Sequence, residues 1–427
     1  MLEILLVLAA LSLFLIFAIK PELGLYVLAF LLPFIGWSFN IGPLNIPLVD
    51  IIGLLALVAF GARILFGWFF EPNKKRKVSW PLFIPFFIFF SISLISSAAS
   101  SHPYQSLWYF FRWPAFLYLA YVFLPYNLVT SGKILKRAVI AVALSSILVL
   151  ISGYLSLYGQ DWHDSFFRIR SLGFFGIFPF GENHNLVAEF LNVGIFIILM
   201  MRFLIKEQRG KRWLDIFFIL MALGIILTFS RAGWITLLLQ SLVYGWYYFR
   251  SKNYQPASLV ISALGILIML SPLVWKMGQL QQDNASSTEN RWLLTEISVQ
   301  AFNNKPYLGY GSGQYINLVD SNIRFKAKYG EAIDSHGVLQ KVLAENGVFG
   351  LAAWLFIMAE LSKTSFVSLK KYYHKQPWLL PLILAGAGGL FFQFFNTSYY
   401  KGKVWLPIAL ALAAINILDK KYGRKNG

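Results

Sequence analysis

The chain has no cysteine among its 427 residues, few charges and no clustered acidic groups. Without thiols there is no disulfide framework, thiolate metal site or cysteine nucleophile. The five histidines (His102, His163, His184, His336 and His374) are scattered, and no His-x-x-x-His pair or acidic cluster is legible. No metal site and no cofactor are therefore expected. Glycine is present without a nucleotide-binding fingerprint: the glycines of NNKPYLGYGSGQY follow no strand and match neither the dinucleotide nor the Walker spacing. No internal repeat appears. Charged residues make up only 13% of positions, against roughly a quarter in soluble domains, so the chain cannot be an ordinary soluble protein.

What the chain has instead is apolar length. Hydrophobic residues fill 58% of positions, mean hydropathy is +0.62, and apolar runs of roughly 17–25 residues recur from end to end. The expected fold is an all-α polytopic membrane protein, one integral membrane domain over residues 1–427. Spans are expected near 2–19, 23–39, 48–70, 79–98, 105–125, 134–157, 184–205, 212–229, 232–250, 256–274, 338–362, 378–396 and 403–418. Met1–Ile19 lacks a basic n-region and a cleavage site, so it reads as a first membrane helix. Lys20-Pro21-Glu22 is either a tight turn or a kink, which makes the count about 12, at most 13.

The net charge of +18 is a topology signal, and no nucleic-acid partner is expected. Twenty-one of the 37 basic residues fall in six short patches, beginning at Lys74–Lys77 and ending at Lys420/Lys421/Arg424/Lys425. Short loops rich in Lys and Arg stay cytoplasmic. The threading puts every patch on one side and the loops 158–183 and 275–336 on the other. The long loop carries six basic and six acidic residues, in keeping with that. It is marginal in length for a core of its own and is expected to lie over the helices. Within it, Leu293, Leu294, Ile297 and Ala301 recur at helical spacing, with Ser287 or Thr288 as cap.

Three residues suggest chemistry on an anionic, lipid-borne substrate. Arg231, in LTFSRAGW, falls where a helix meets water, and its guanidinium fork matches phosphate oxygens. Arg291, in the loop helix, supplies the second cation that a metal-free diphosphate site needs. His336 follows the cap-type residues Asp334 and Ser335. It is expected in the first turn of a helix starting near Gly337, where the dipole favours the neutral imidazole a general base requires. Gln340 lies one turn on, along the same face. Glu345 is out of phase with His336 on a straight helix. Arg168 and Arg170 in the smaller loop could serve as further cations, and Arg112 is the main buried charge of the first half. In ENHNL, Asn183 reads as a helix cap.

Three blocks, LTFSRAGWITLLL, ENRWLLTEISVQAFNNKPYLGYGSGQY and DSHGVLQKVLAENGVFGLAAWLF, together resemble the bacterial O-antigen ligase / O-antigen polymerase superfamily of membrane glycosyltransferases. RIRSLGFFG…ENHNLVAEF resembles the family's preceding loop more loosely. Gly337 departs from the pattern, because asparagine usually follows the histidine. The resemblance implies an inverting, metal-independent transfer of a glycan from undecaprenyl diphosphate on the periplasmic face of the bacterial inner membrane. Arg231 and Arg291 would bind the diphosphate, and His336 would activate or position the acceptor. The ligase reading, with lipid A–core as acceptor, is preferred over the polymerase reading, with a lipid-linked glycan as acceptor. A lipid-linked glycan flippase would need charges deep in the bundle and often repeat symmetry.

Overall fold

In a computed structural model of the chain, residues 2–42, 44–70, 77–161, 167–174, 177–251 and 285–422 are described. The structure is helical with one short hairpin: α1 Leu2–Ile19, α2 Pro21–Leu31, β1 Ser38–Ile41, β2 Leu44–Pro47, α3 Leu48–Phe70, α4 Phe83–Ala98, α5 Pro103–Leu128, α6 Gly132–Leu155, α7 His184–Leu204, α8 Gln208–Leu227, α9 Arg231–Ser251, α10 Ala285–Asn304, α11 Tyr315–Asp320, α12 Ile323–Tyr329, α13 Val338–Tyr372, α14 Leu379–Phe392 and α15 Gly402–Tyr422. Among the described residues six helices (α3, α5, α6, α7, α13 and α15) are long and apolar enough to cross a membrane. The expected span 256–274 lies outside the described residues.

Near the N-terminus one expectation changes and one open alternative is decided. The span expected at 23–39 ends at Leu31, because Pro33 bars its predecessor from continuing the helix. The chain then forms the antiparallel hairpin, with Ser38 opposite Pro47 and Ile41 opposite Leu44. At Lys20 the chain makes a sharp turn. A Cβ on Gly24 would come within 3.3 Å of Phe17 and 2.9 Å of Ala56, an approach that a kinked but continuous helix could not give to residues seven apart.

Connectivity sorts the ends of the bundle. α7 and α8 run antiparallel, so the basic patch Lys206–Arg212 between them lies opposite the α8–α9 turn. At the basic end Lys371 pairs with Asp419 across α13 and α15. At the other end the loops interlock. Ile169 N donates to Leu227 O, Ser106 Oγ to Ser312 O, Val338 N to Gln393 O and Thr397 Oγ1 to Ser335 O.

The long loop has a small core of its own, which joins it to the bundle. Leu293, Leu294, Ile297 and Ala301 are buried with Tyr315, Val319, Phe325 and Ala344 of α13, as their spacing predicts. The helix carrying them starts at Ala285, before the expected cap at Ser287 or Thr288. α13 is not straight: Gly347 sits at φ 64°, ψ −164° and breaks it. The break frees backbone groups, and the glycine-rich loop takes them up. Tyr310 N and Gly311 N donate to Ala344 O and Glu345 O, while Val348 N donates to Pro306 O. Gly309 of YLGYGSGQY lets backbone reach backbone, since a Cβ there would lie 2.5 Å from the Glu345 carbonyl carbon, while Gly311 and Gly313 make room for Ser100, Ser106 and Tyr109. Gly347→Ala combines left-handed backbone with a Cβ 2.3 Å from Tyr307 O, and is expected to cost about 1–3 kcal/mol. Thermal unfolding in detergent would measure it, and an unchanged transition would contradict the break.

Candidate functional site

The site begins in the turn between α8 and α9. Phe229 takes left-handed backbone, at φ 53°, which ends α8 abruptly. Ser230 Oγ then accepts from Gly233 N at 3.1 Å, capping α9, and donates to Asn185 Oδ1 at 2.6 Å. Gly233 carries no side chain because a Cβ there would meet Ala188 at 2.9 Å. The Ser-Arg-Ala-Gly run thus packs the start of α9 against the start of α7 and leaves Arg231 exposed at the loop end. Ser230→Ala is expected to remove the cap at a cost of about 1 kcal/mol and to weaken binding of a phosphate-bearing substrate. Unfolding and binding titrations on one preparation would check both.

Arg291, on α10, is half-buried and close enough to Arg231 that the two charges repel. Burial, then Arg231, holds its guanidinium below the usual range. Its Nε is buried with no hydrogen-bond partner. Among the described residues neither arginine forms an ion pair, an arrangement that leaves room for an anion. α10 is locked onto α13 through Thr295, which donates to Arg291 O at 2.9 Å and accepts from Gln340 Nε2 at 2.6 Å. Gln340 Oε1 is left buried and without a partner.

His336 joins this group from the loop leading into α13. The structure corrects its place: α13 starts at Val338 with extended Gly337 as N-cap, so His336 precedes the cap and is not in the first turn. Neither Asp334 nor Ser335 caps the helix. Asp334 pairs with Lys341 at 2.7 Å, and the α13 N-terminus is satisfied in part by Gln393 O. His336 is nonetheless held neutral, its pKa pushed down to about 4 by burial first and by Arg291 second, with Asp334 pulling the other way.

The loop cations divide. Arg168 Nη1 lies 3.5 Å from His184 Nε2, and both Arg168 and Arg291 act on the His184 ring. Asn183 caps α7 as its sequence suggests, accepting from Asn185 N at 2.8 Å. What that reading missed is His184 itself, which follows the cap and faces the arginines. Arg170 does not join them: it is exposed and lines a separate groove with Gln160 and Phe178. Arg112 also lies apart, 3.6 Å from Asp50, in a π-wound stretch of α5 where Trp113 is forced out of helical geometry by Pro114. Lys341 was not legible as a functional neighbour. It is buried between Asp334 and Glu345, and the only signal was its seven-residue spacing from Asp334. Among the described residues no three His, Asp or Glu side chains group as metal ligands.

Arg231, Arg291, His336 and Gln340 all fall within residues 216–355, the stretch matched by a family model described as O-antigen ligase. The match covers the turn, the loop helix and the start of α13, and bears out the resemblance drawn from those blocks. Arg112, Arg168 and Arg170 lie outside it. No curated protein matches the chain.

Proposed function

We propose that the chain, whose residues 216–355 match a family model described as O-antigen ligase, transfers a glycan from undecaprenyl diphosphate to a hydroxyl of lipid A–core. The observation that carries this reading is the convergence of Arg231, Arg291 and neutral His336, with neither arginine spent on a carboxylate among the described residues. The acceptor oxygen attacks the anomeric carbon from the face opposite the leaving group, forming one C–O bond as the bond to the diphosphate breaks. The acceptor proton passes to the free imidazole nitrogen of His336. The leaving diphosphate gains a negative charge, which Arg231 and Arg291 offset. Arg291 Nε and Gln340 Oε1, both lacking partners, suit a phosphate oxygen and a sugar hydroxyl respectively. The basic patches at the opposite end of the bundle support a periplasmic site in the inner membrane.

The test is reconstitution. Detergent-purified protein, carrier-linked glycan and lipid A–core should yield glycan-bearing lipid A–core, resolved by gel electrophoresis. Replacing lipid A–core by a second lipid-linked repeat separates ligase from polymerase. A longer lipid-linked chain in that tube, with none in the first, would assign the polymerase reaction. Product in neither tube would overturn the transferase reading.

A further inference from the structure

A second cavity of about 300 Å³ shares no lining residue with the Arg231–Arg291–His336 group. One wall is the β1–β2 hairpin, with Ser38 and Asn45, and another is α5, with Tyr109, Arg112 and Trp113. The loop before α13 supplies Asp334, α13 supplies Lys341, and the α14–α15 loop supplies Tyr400 and Lys401. It is joined to the first site through Asp334, which lines the cavity and whose charge reaches His336.

The charges in this cavity do not balance. Lys341 is engaged with Asp334 at 2.7 Å, and Arg112 has Asp50 at 3.6 Å. The Lys401 side chain forms no ion pair or hydrogen bond with a described residue; the Tyr400 ring lies 5.9 Å from its ammonium, and Glu189 and Asp334 act on it only at longer range. Three cations and one carboxylate, Asp334, line the cavity; Asp50 and Glu345 outside the lining engage Arg112 and Lys341, so of the three cations Lys401 alone has no ion pair among the described residues. Arg112 Nε is in addition buried without a hydrogen-bond partner. An unpaired ammonium partly withdrawn from water is costly, and Lys401 is pushed down to about 8 by burial first and by Lys403 second; Arg112 acts in the same sense, Glu189 and Asp334 against it. An anion entering the cavity would relieve that cost. Beside the aliphatic Ile35, Pro47 and Ile316, the remaining walls offer aromatic rings and the hydroxyl and amide groups of Ser38 and Asn45, surfaces that suit a sugar ring and its hydroxyls.

We propose that this cavity binds an anionic sugar residue of the acceptor, its carboxylate or phosphate held by Lys401 and Arg112. This rests on the transferase reading for the word acceptor, but the binding itself does not. The full-length protein in detergent would be titrated with glucuronic acid, glucose 6-phosphate and glucose by ligand-observed NMR. Both anionic sugars should bind at least about tenfold more tightly than glucose, the effect of one charge-assisted hydrogen bond. The tighter of the two identifies the anionic group. Lys401→Gln should abolish the preference and Lys401→Arg retain it. Asn45→Asp, isosteric and on the exposed hairpin, should weaken it without touching the buried charges. In transfer assays Lys401→Gln should raise the KM for an anionic acceptor and leave that for the carrier-linked donor unchanged. Equal binding of glucose and the anionic sugars, or a preference untouched by both Lys401→Gln and Asn45→Asp, would overturn the proposal. Charge preference without any transfer would instead sink the transferase reading and leave the cavity's specificity standing.

Discussion

His336→Ala is expected to lower glycan transfer on the order of 10²–10⁴-fold, or about 3–5 kcal/mol of barrier, while donor binding stays near wild type. In the proposed reaction the neutral His336 imidazole takes the acceptor proton while Arg231 and Arg291 serve the diphosphate; the other neutral imidazole facing Arg291, His184, lies against Arg168. The pH profile gives a second readout. Because His336 is held down to about 4, the base form is present throughout the neutral range. The kcat/KM should stay level as pH falls through 6.5, the value of an unperturbed histidine, and decline only near pH 4. A decline centred at 6.5 would mean that burial and Arg291 do not act on the imidazole as described. A His336→Ala variant with unchanged turnover would remove the histidine from the reaction altogether.

Lys341→Met is expected to cost about 3–5 kcal/mol of stability, the usual result of removing one partner from a buried ionic group. The Lys341 side chain is 6% exposed, 2.7 Å from Asp334 and 3.9 Å from Glu345, which is fully buried. The Tyr400 ring lies 5.0 Å from its ammonium. Without the lysine Glu345 remains fully buried with no cation paired to it, and Asp334, 23% exposed, loses its closest one. Glu345 also accepts from Tyr315 N at 3.2 Å, so the loss should spread into the loop core and disturb the positions of Arg291 and His336. Thermal unfolding in detergent would measure the cost. Adding Glu345→Gln to the variant should recover part of it, since that removes one of the stranded charges. A single variant that unfolds like the wild type would show that the pair is solvated.

Most helices were legible because the hydrocarbon sets a length and a composition that a sequence displays directly. α3, α7 and α9 begin and end within a residue or two of their apolar runs. The expected span 23–39 failed because apolar residues continue past Pro33 into the hairpin, and hydropathy cannot tell a short strand from the end of a helix. The count of about 12 is not decided by the six helices that meet both criteria of length and composition. At the candidate site, residue chemistry singled out Arg231, Arg291 and His336. It misread Asp334 as a cap, because Asp is a good cap type and its partner Lys341 lies one element away. Arg168 and Arg170 were indistinguishable in sequence, two positions apart in one loop. Packing sends the first to His184 and the second to a separate groove.

By itself, then, the sequence determined that this chain is helical and built for a membrane, which end of each helix is basic, and which residue types could meet a diphosphate. These follow from local rules of hydrophobic length, charge sidedness and guanidinium chemistry. Only the tertiary structure decided which of the cations converge and how His336 is kept neutral. It also decided that α13 breaks at Gly347 to receive the glycine-rich loop and that a hairpin closes a second, cationic cavity. Such outcomes depend on contacts between residues far apart in the chain, and on the burial those contacts impose, which no local pattern encodes.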